Sequence, residues 1–115
     1  MPDQVTIYHN PKCSKSRETL ALLKDRGVEP SVVEYLSQTP TREELRDILK
    51  KLGAKPCDII RRNEKLFSEL GLGDATDDAL IVAMVEHPAL MERPIVVKGA
   101  KAAVGRPPKN VLEIL

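Results

Sequence analysis

The β-branched runs of this chain stand near its two ends, and the stretch between them carries helical periodicity. Val5-Thr6-Ile7-Tyr8 and Ser31-Val32-Val33-Glu34-Tyr35 lie near the start, and Ile95-Val96-Val97 and Ala102-Ala103-Val104-Gly105 near the finish. Strands this short need partners, so one sheet is expected to draw on both ends. Residues 14–26 read as a helix between the first two strands. Ser16, Leu20 and Leu23 fall at i, i+4 and i+7, and Gly27 supplies the left-handed residue that ends it. A right-handed crossover makes those two strands parallel. The turn Lys98-Gly99-Ala100 is short enough to make the last two an antiparallel hairpin.

The middle is helical. Thr41-Arg42-Glu43-Glu44 reads as a capping box, followed by Leu45, Ile48, Leu49 and Leu52 at helical spacing and ended by Gly53. Pro56 opens a shorter helix through Cys57, Ile59 and Ile60. Leu66, Phe67 and Leu70 mark another, closed by Gly71. Thr76 caps one carrying Leu80, Ile81, Met84 and Val85, and Pro88 stops it. Pro107-Pro108 opens a final helix with Val111, Leu112 and Leu115 on one side. The order β-α-β, helical block, β-β-α is that of an α/β fold with a thioredoxin-like core, a mixed four-stranded sheet and a helical insertion. At 115 residues the expectation is a single domain, with its core in residues 1–37 and 92–115 and the insertion in 40–91.

Composition narrows the partners. Lys and Arg total 18 against 17 Asp and Glu, a formal net charge of +1, so the basic excess of a nucleic-acid-binding chain is missing. Tyr8, Tyr35 and Phe67 are too few to stack bases. Cys13 and Cys57, far apart, make no disulfide framework, and without clustered histidines they make no metal site. The N-terminus lacks the pattern of a leader, and the longest apolar run, residues 79–85, is far below the roughly 18 residues of a membrane span. The expected location is the cytoplasm, where thiols stay reduced, with neither nucleic acid nor membrane as partner.

Cys13 falls where the first strand hands over to the first helix. Backbone N–H groups and the positive end of the helix dipole converge on such a position. Lys12, Lys15 and Arg17 add local positive charge. An ordinary thiol, with a pKa of about 8.5, is only a few per cent ionised at pH 7, and this setting lowers that value. The two readings are a reactive nucleophile and a buried structural thiol; position and basic flank favour the first. Three residues on stands Ser16, so no local dithiol can form and an outside thiol must complete any redox cycle. Thr19 stands where a phosphatase-type Cys-x5-Arg loop would need arginine.

The topology also gathers arginines. The strand from Ile95 runs antiparallel beside the first, so Arg93 lies on the sheet edge that carries Cys13. The last strand reverses again and delivers Arg106 to that edge. The insertion leaves from the same edge and carries Arg61-Arg62. Taken singly, each arginine reads as a solvated surface charge; together they suit bidentate binding of a tetrahedral oxyanion. Pro94, between Arg93 and a strand, is a candidate cis proline.

Tyr8-His9-Asn10-Pro11-Lys12-Cys13-Ser14-Lys15-Ser16-Arg17, Ile59-Ile60-Arg61-Arg62-Asn63, Arg93-Pro94-Ile95-Val96-Val97 and Gly105-Arg106-Pro107 carry a resemblance over essentially the whole chain. In this order they resemble the glutaredoxin-coupled arsenate reductase (ArsC-like) family, in particular its short, chromosomally encoded members without a C-terminal extension. The resemblance implies a thioredoxin-like fold with a helical insertion and Cys13 as nucleophile. It implies Arg61, Arg93 and Arg106 as oxyanion-binding residues, His9 as an aid to thiol ionisation, and a cis bond before Pro94. It further implies reduction of arsenate, or a related oxyanion, through a Cys13–arsenate adduct, with no bound cofactor and with glutathione and glutaredoxin as reductants and partners.

Two other readings share the fold. One is an Spx-type regulator binding RNA polymerase, which commonly carries Cys-x-x-Cys where this chain has Ser16; the other is a monothiol glutaredoxin-like thiol transferase. Cys57, without a basic flank, reads as a packing residue, and His87 as a helix-end residue facing the dipole.

Overall fold

The computed structural model describes residues 4–115 and divides them into two compact units. One comprises the described residues up to Gln38 together with Arg93–Leu115; the other is Thr39–Glu92.

The first unit is a four-stranded mixed sheet. Its strands are β1 (Val5–His9), β2 (Ser31–Glu34), β3 (Ile95–Lys98) and β4 (Lys101–Val104), in spatial order β2-β1-β3-β4. β1 pairs with β2 in parallel, and β3 pairs antiparallel with both β1 and β4. Strict alternation along β1 turns Val5, Ile7 and His9 to the buried side. Helix α1 (Ser14–Asp25) crosses from β1 to β2 and buries Ser16, Thr19 and Leu23. Gly27, at φ 77°, takes the left-handed conformation after it. Val5, Ile7, Leu23, Val96 and Val111 form a buried cluster, with Leu20 and Ile114 packed against it. The last segment, Pro108–Ile114, is a 3-10 helix and not the α-helix its spacing suggests. It is only seven residues long, begins at Pro108 and follows Pro107. It still buries Val111, so the apolar side was read correctly and the winding was not.

Register places the chemistry. Tyr8 lies opposite Ile95, and Ile95 opposite Val104. The loop after β1, the residues before β3 and those after β4 therefore share one sheet edge. The bonds Arg93–Pro94 and Arg106–Pro107 are both cis; only the first was expected.

The second unit holds α2 (Arg42–Leu52), α3 (Pro56–Ile59), α4 (Lys65–Glu69) and α5 (Asp77–Glu86), with 3-10 turns at Leu72–Asp74 and Pro88–Leu90. α2 begins with the expected capping box. The Thr41 hydroxyl accepts from the Glu44 N–H (3.1 Å), and the Glu44 carboxylate accepts from the Thr41 N–H (3.2 Å). Gly53 ends the helix at φ 65°. α5 packs on α2 and α3, burying Leu80, Ile81 and Met84 with Leu45, Ile48 and Ile59. α4 buries none of its residues, so Leu66 and Phe67 are only half-buried. His87 ends α5, its N–H donating to the Ala83 carbonyl. Thr41→Ala removes one half of the capping box and is expected to cost about 1 kcal/mol, read as a lower urea midpoint with an unchanged slope. No helix among the described residues is long and apolar enough to cross a membrane.

Candidate active site

The loop between β1 and α1 is built by its own polar groups. The Asn10 side-chain carbonyl accepts from the Lys12 N–H (3.0 Å), and the Asn10 backbone carbonyl accepts from the Cys13 N–H (3.0 Å). This tight turn sets Cys13 in an extended conformation (φ −95°, ψ 125°) as the N-cap of α1. The sulfur then faces the helix's first N–H groups, where negative charge is favoured.

Cys13 is 9% exposed. Burial by itself pushes its thiol up. The Ser16 N–H, the Arg93 guanidinium, the Lys15 N–H and the Arg106 guanidinium pull it down and prevail, so the thiol ionises below its ordinary value. The expected contribution of Lys12, Lys15 and Arg17 takes a different form. All three are exposed, and the Lys15 ammonium pairs with Glu18 at 3.5 Å. The flank acts through its backbone, and the charge arrives from the distant arginines.

Arg106 follows β4, and its guanidinium reaches both the sulfur and the Arg93 main chain. Its Nη2 donates to the Cys13 sulfur at 3.6 Å, and its Nε donates to the Arg93 carbonyl at 2.8 Å. Arg93 leaves Nε and Nη1 buried without a hydrogen-bond partner. Buried guanidinium donors ordinarily find acceptors, so this pair of N–H groups beside a thiolate suits an arriving oxyanion. The Gly105 N–H donates to the Pro94 carbonyl (2.9 Å), so the two arginine-bearing loops are joined by main chain as well.

His9 closes β1 at 5% exposure. Its Nδ1 lies 2.5 Å from the Ser16 hydroxyl, which also accepts from the Asn10 N–H at 3.0 Å. The Ser16 hydroxyl has one proton and two acceptor lone pairs, so the tautomer of His9 sets which of the two donates. Burial lowers the His9 pKa, Glu34 raises it and Lys24 lowers it; the net direction is down, which agrees with a neutral ring. His9 therefore reaches Cys13 through Ser16.

Arg61 lies in the second unit. Its N–H donates to the Leu90 carbonyl (2.7 Å), and its Nη1 pairs with Glu64 (2.5 Å) and approaches the Ala89 carbonyl (3.4 Å). Cys57, in the same unit, is a half-buried free thiol with Asp58 Oδ1 at 3.9 Å. No group of three or more metal-ligating side chains occurs among the described residues.

Sequence reasoning passed over Thr19 and Gly105. Thr19 is fully buried and donates from Oγ1 to the Lys15 carbonyl (2.8 Å). A Cβ on Gly105 would meet Thr19 Oγ1 at 2.6 Å and Pro94 Cγ at 2.8 Å, closer than real contacts allow. The signal was there: a glycine directly before Arg106-Pro107, at a strand end, marks a close approach.

Comparison with known proteins agrees with this geometry. The ArsC family model matches residues 8–114. The chain is 56% identical to the uncharacterized protein YfgD of Escherichia coli K12, covering 100% of this chain and 99% of that one. It is 48% identical to the arsenate reductase of Neisseria meningitidis serogroup A, with both chains covered in full. A solved structure of arsenate reductase from Vibrio cholerae superposes with a TM-score of 0.96 at 53% identity, again over all of both chains. With its sheet, its cysteine turn and its sequence all in agreement, the chain belongs to the ArsC family.

Proposed function

We propose that this protein is an arsenate reductase that works through one cysteine and external thiols. The observation that carries the reading is the contact of Arg106 Nη2 with the Cys13 sulfur (3.6 Å), beside the buried, unpartnered donors of Arg93. Arsenate is a tetrahedral oxyanion that both guanidiniums can hold by paired N–H bonds. The Cys13 thiolate attacks arsenic(V), an oxygen leaves as water, and the arginines spread the charge that develops. Arg61 as a further oxyanion-binding residue rests on the family resemblance; its own guanidinium pairs with Glu64 within the second unit. His9 acts in its neutral form by holding Ser16.

Glutathione then attacks the Cys13–arsenate adduct, and glutaredoxin supplies a second thiol. The two electrons that take arsenic(V) to arsenic(III) come from these external thiols, which leave as a disulfide. Hydrolysis releases arsenite and returns the Cys13 thiolate. No resident cofactor is required. Position 16 offers a buried, hydrogen-bonded hydroxyl and no thiol, which favours an external resolving thiol over an internal one.

The test is arsenite formation by purified protein with arsenate, glutathione and glutaredoxin, followed against pH. Turnover is expected, with kcat/KM falling as pH drops through a thiol pKa below the ordinary range, because protonation removes the nucleophile. A rising limb at the ordinary thiol value, about 8.5, would show that the arginines do not act on Cys13.

A further inference from the structure

We propose that Thr19 is a positioning residue for the Cys13 thiolate, acting through the Lys15–Ser16 peptide on one side and through Gly105 on the other. The Thr19 hydroxyl donates to the Lys15 carbonyl at 2.8 Å. That carbonyl belongs to the same peptide group as the Ser16 N–H, which hydrogen-bonds to the Cys13 sulfur. A donor on the carbonyl end fixes the plane of the peptide and polarises its N–H, strengthening the bond that N–H makes to a thiolate. A threonine hydroxyl bonding back within a helix is ordinary; here the carbonyl it takes is the one behind the nucleophile's own donor.

The other side of Thr19 fills the space that a side chain at position 105 would need. Thr19 Oγ1 and Cγ2 lie 2.6 and 3.2 Å from where that Cβ would be. Gly105 has no left-handed backbone to explain it, since the positive-φ glycines are Gly27, Gly53, Gly71 and Gly99. Close approach is what remains. It seats the segment bearing Arg106 directly on α1, one residue from the guanidinium that meets the sulfur. One fully buried side chain thus sets both the backbone donor and the cationic donor of the thiolate.

This inference builds on the proposed reaction, but its main readout needs no arsenate. Thiolate formation is followed by ultraviolet absorbance against pH in wild type, Thr19→Val, Thr19→Ala and Thr19→Ser. Valine keeps the volume and alanine does not, and both lack the donor. Each is expected to raise the thiol pKa by about half to one unit, with a loss in kcat/KM that is largest at low pH and shrinks as pH rises. Serine keeps the donor and is expected to titrate like wild type. Gly105→Ala, which drives a methyl against Thr19, is expected to raise the thiol pKa as well. Wild-type titration in whichever of the valine and alanine variants folds would overturn the proposal. So would a serine variant displaced as far as valine. The expected pKa shifts in a protein that fails to reduce arsenate would uphold the role of Thr19 and overturn the proposed substrate.

Discussion

Cys13→Ser is expected to abolish arsenate reduction, lowering kcat/KM by at least about a thousand-fold. A serine hydroxyl at this site is not ionised at neutral pH, and no second thiol occupies position 16 to take over. The substitution removes one atom's polarisability and leaves the loop intact, because Asn10 holds the turn through the Lys12 and Cys13 N–H groups and not through the sulfur. Arsenite production should fall to the background rate while circular dichroism and unfolding midpoint stay near wild type. A variant that loses activity together with its fold would identify Cys13 as a packing residue, the other role open to a thiol 9% exposed.

Arg106→Ala is the second large effect, expected to lower kcat/KM by about a hundred- to a thousand-fold, as removal of a charge-stabilising donor does. Two contacts go at once: Nη2 to the sulfur and Nε to the Arg93 carbonyl. The first loss raises the thiol pKa, so the fall in activity is steepest at low pH. The second removes one of the ties on the loop that carries the unpartnered Nε and Nη1 of Arg93. Arg106→Lys separates the two. It retains a charge near the thiolate but has no planar fork with which to hold carbonyl and sulfur together. Its thiol pKa is expected to lie nearer wild type than that of the alanine variant, with kcat/KM still well below wild type. Equal thiol pKa values in wild type and Arg106→Ala would rule out the electrostatic role of Arg106.

Much of this architecture is legible in the sequence because it rests on local rules. Val5 and Ile7 alternate, Ser16 and Leu23 share a helix face, and Thr41 and Glu44 cap each other. From these the strand order follows, and the strand order alone brings Arg93 and Arg106 to the edge that carries Cys13. What local rules miss is how side chains settle once they meet. The charges beside Cys13 in sequence point into solvent, and the charges that act on it come from β3 and β4. His9 was expected to help keep the thiol ionised; the strand's alternation buries it against the Ser16 hydroxyl, and that burial lowers its pKa. Thr19 looked like a failed arginine in a phosphatase motif, and its contact with Gly105 depends on three segments arriving together. The final 3-10 helix shows the reverse limit: its apolar spacing was legible, but two prolines and a short span decided its winding.

The most direct test is arsenite release measured side by side for wild type and Cys13→Ser, with arsenate, glutathione and glutaredoxin present. Wild type is predicted to release arsenite in proportion to enzyme concentration, and Cys13→Ser only at the rate of the protein-free mixture. Wild type that releases none above that rate, or a serine variant that matches wild type, would contradict arsenate reduction by the Cys13 thiolate.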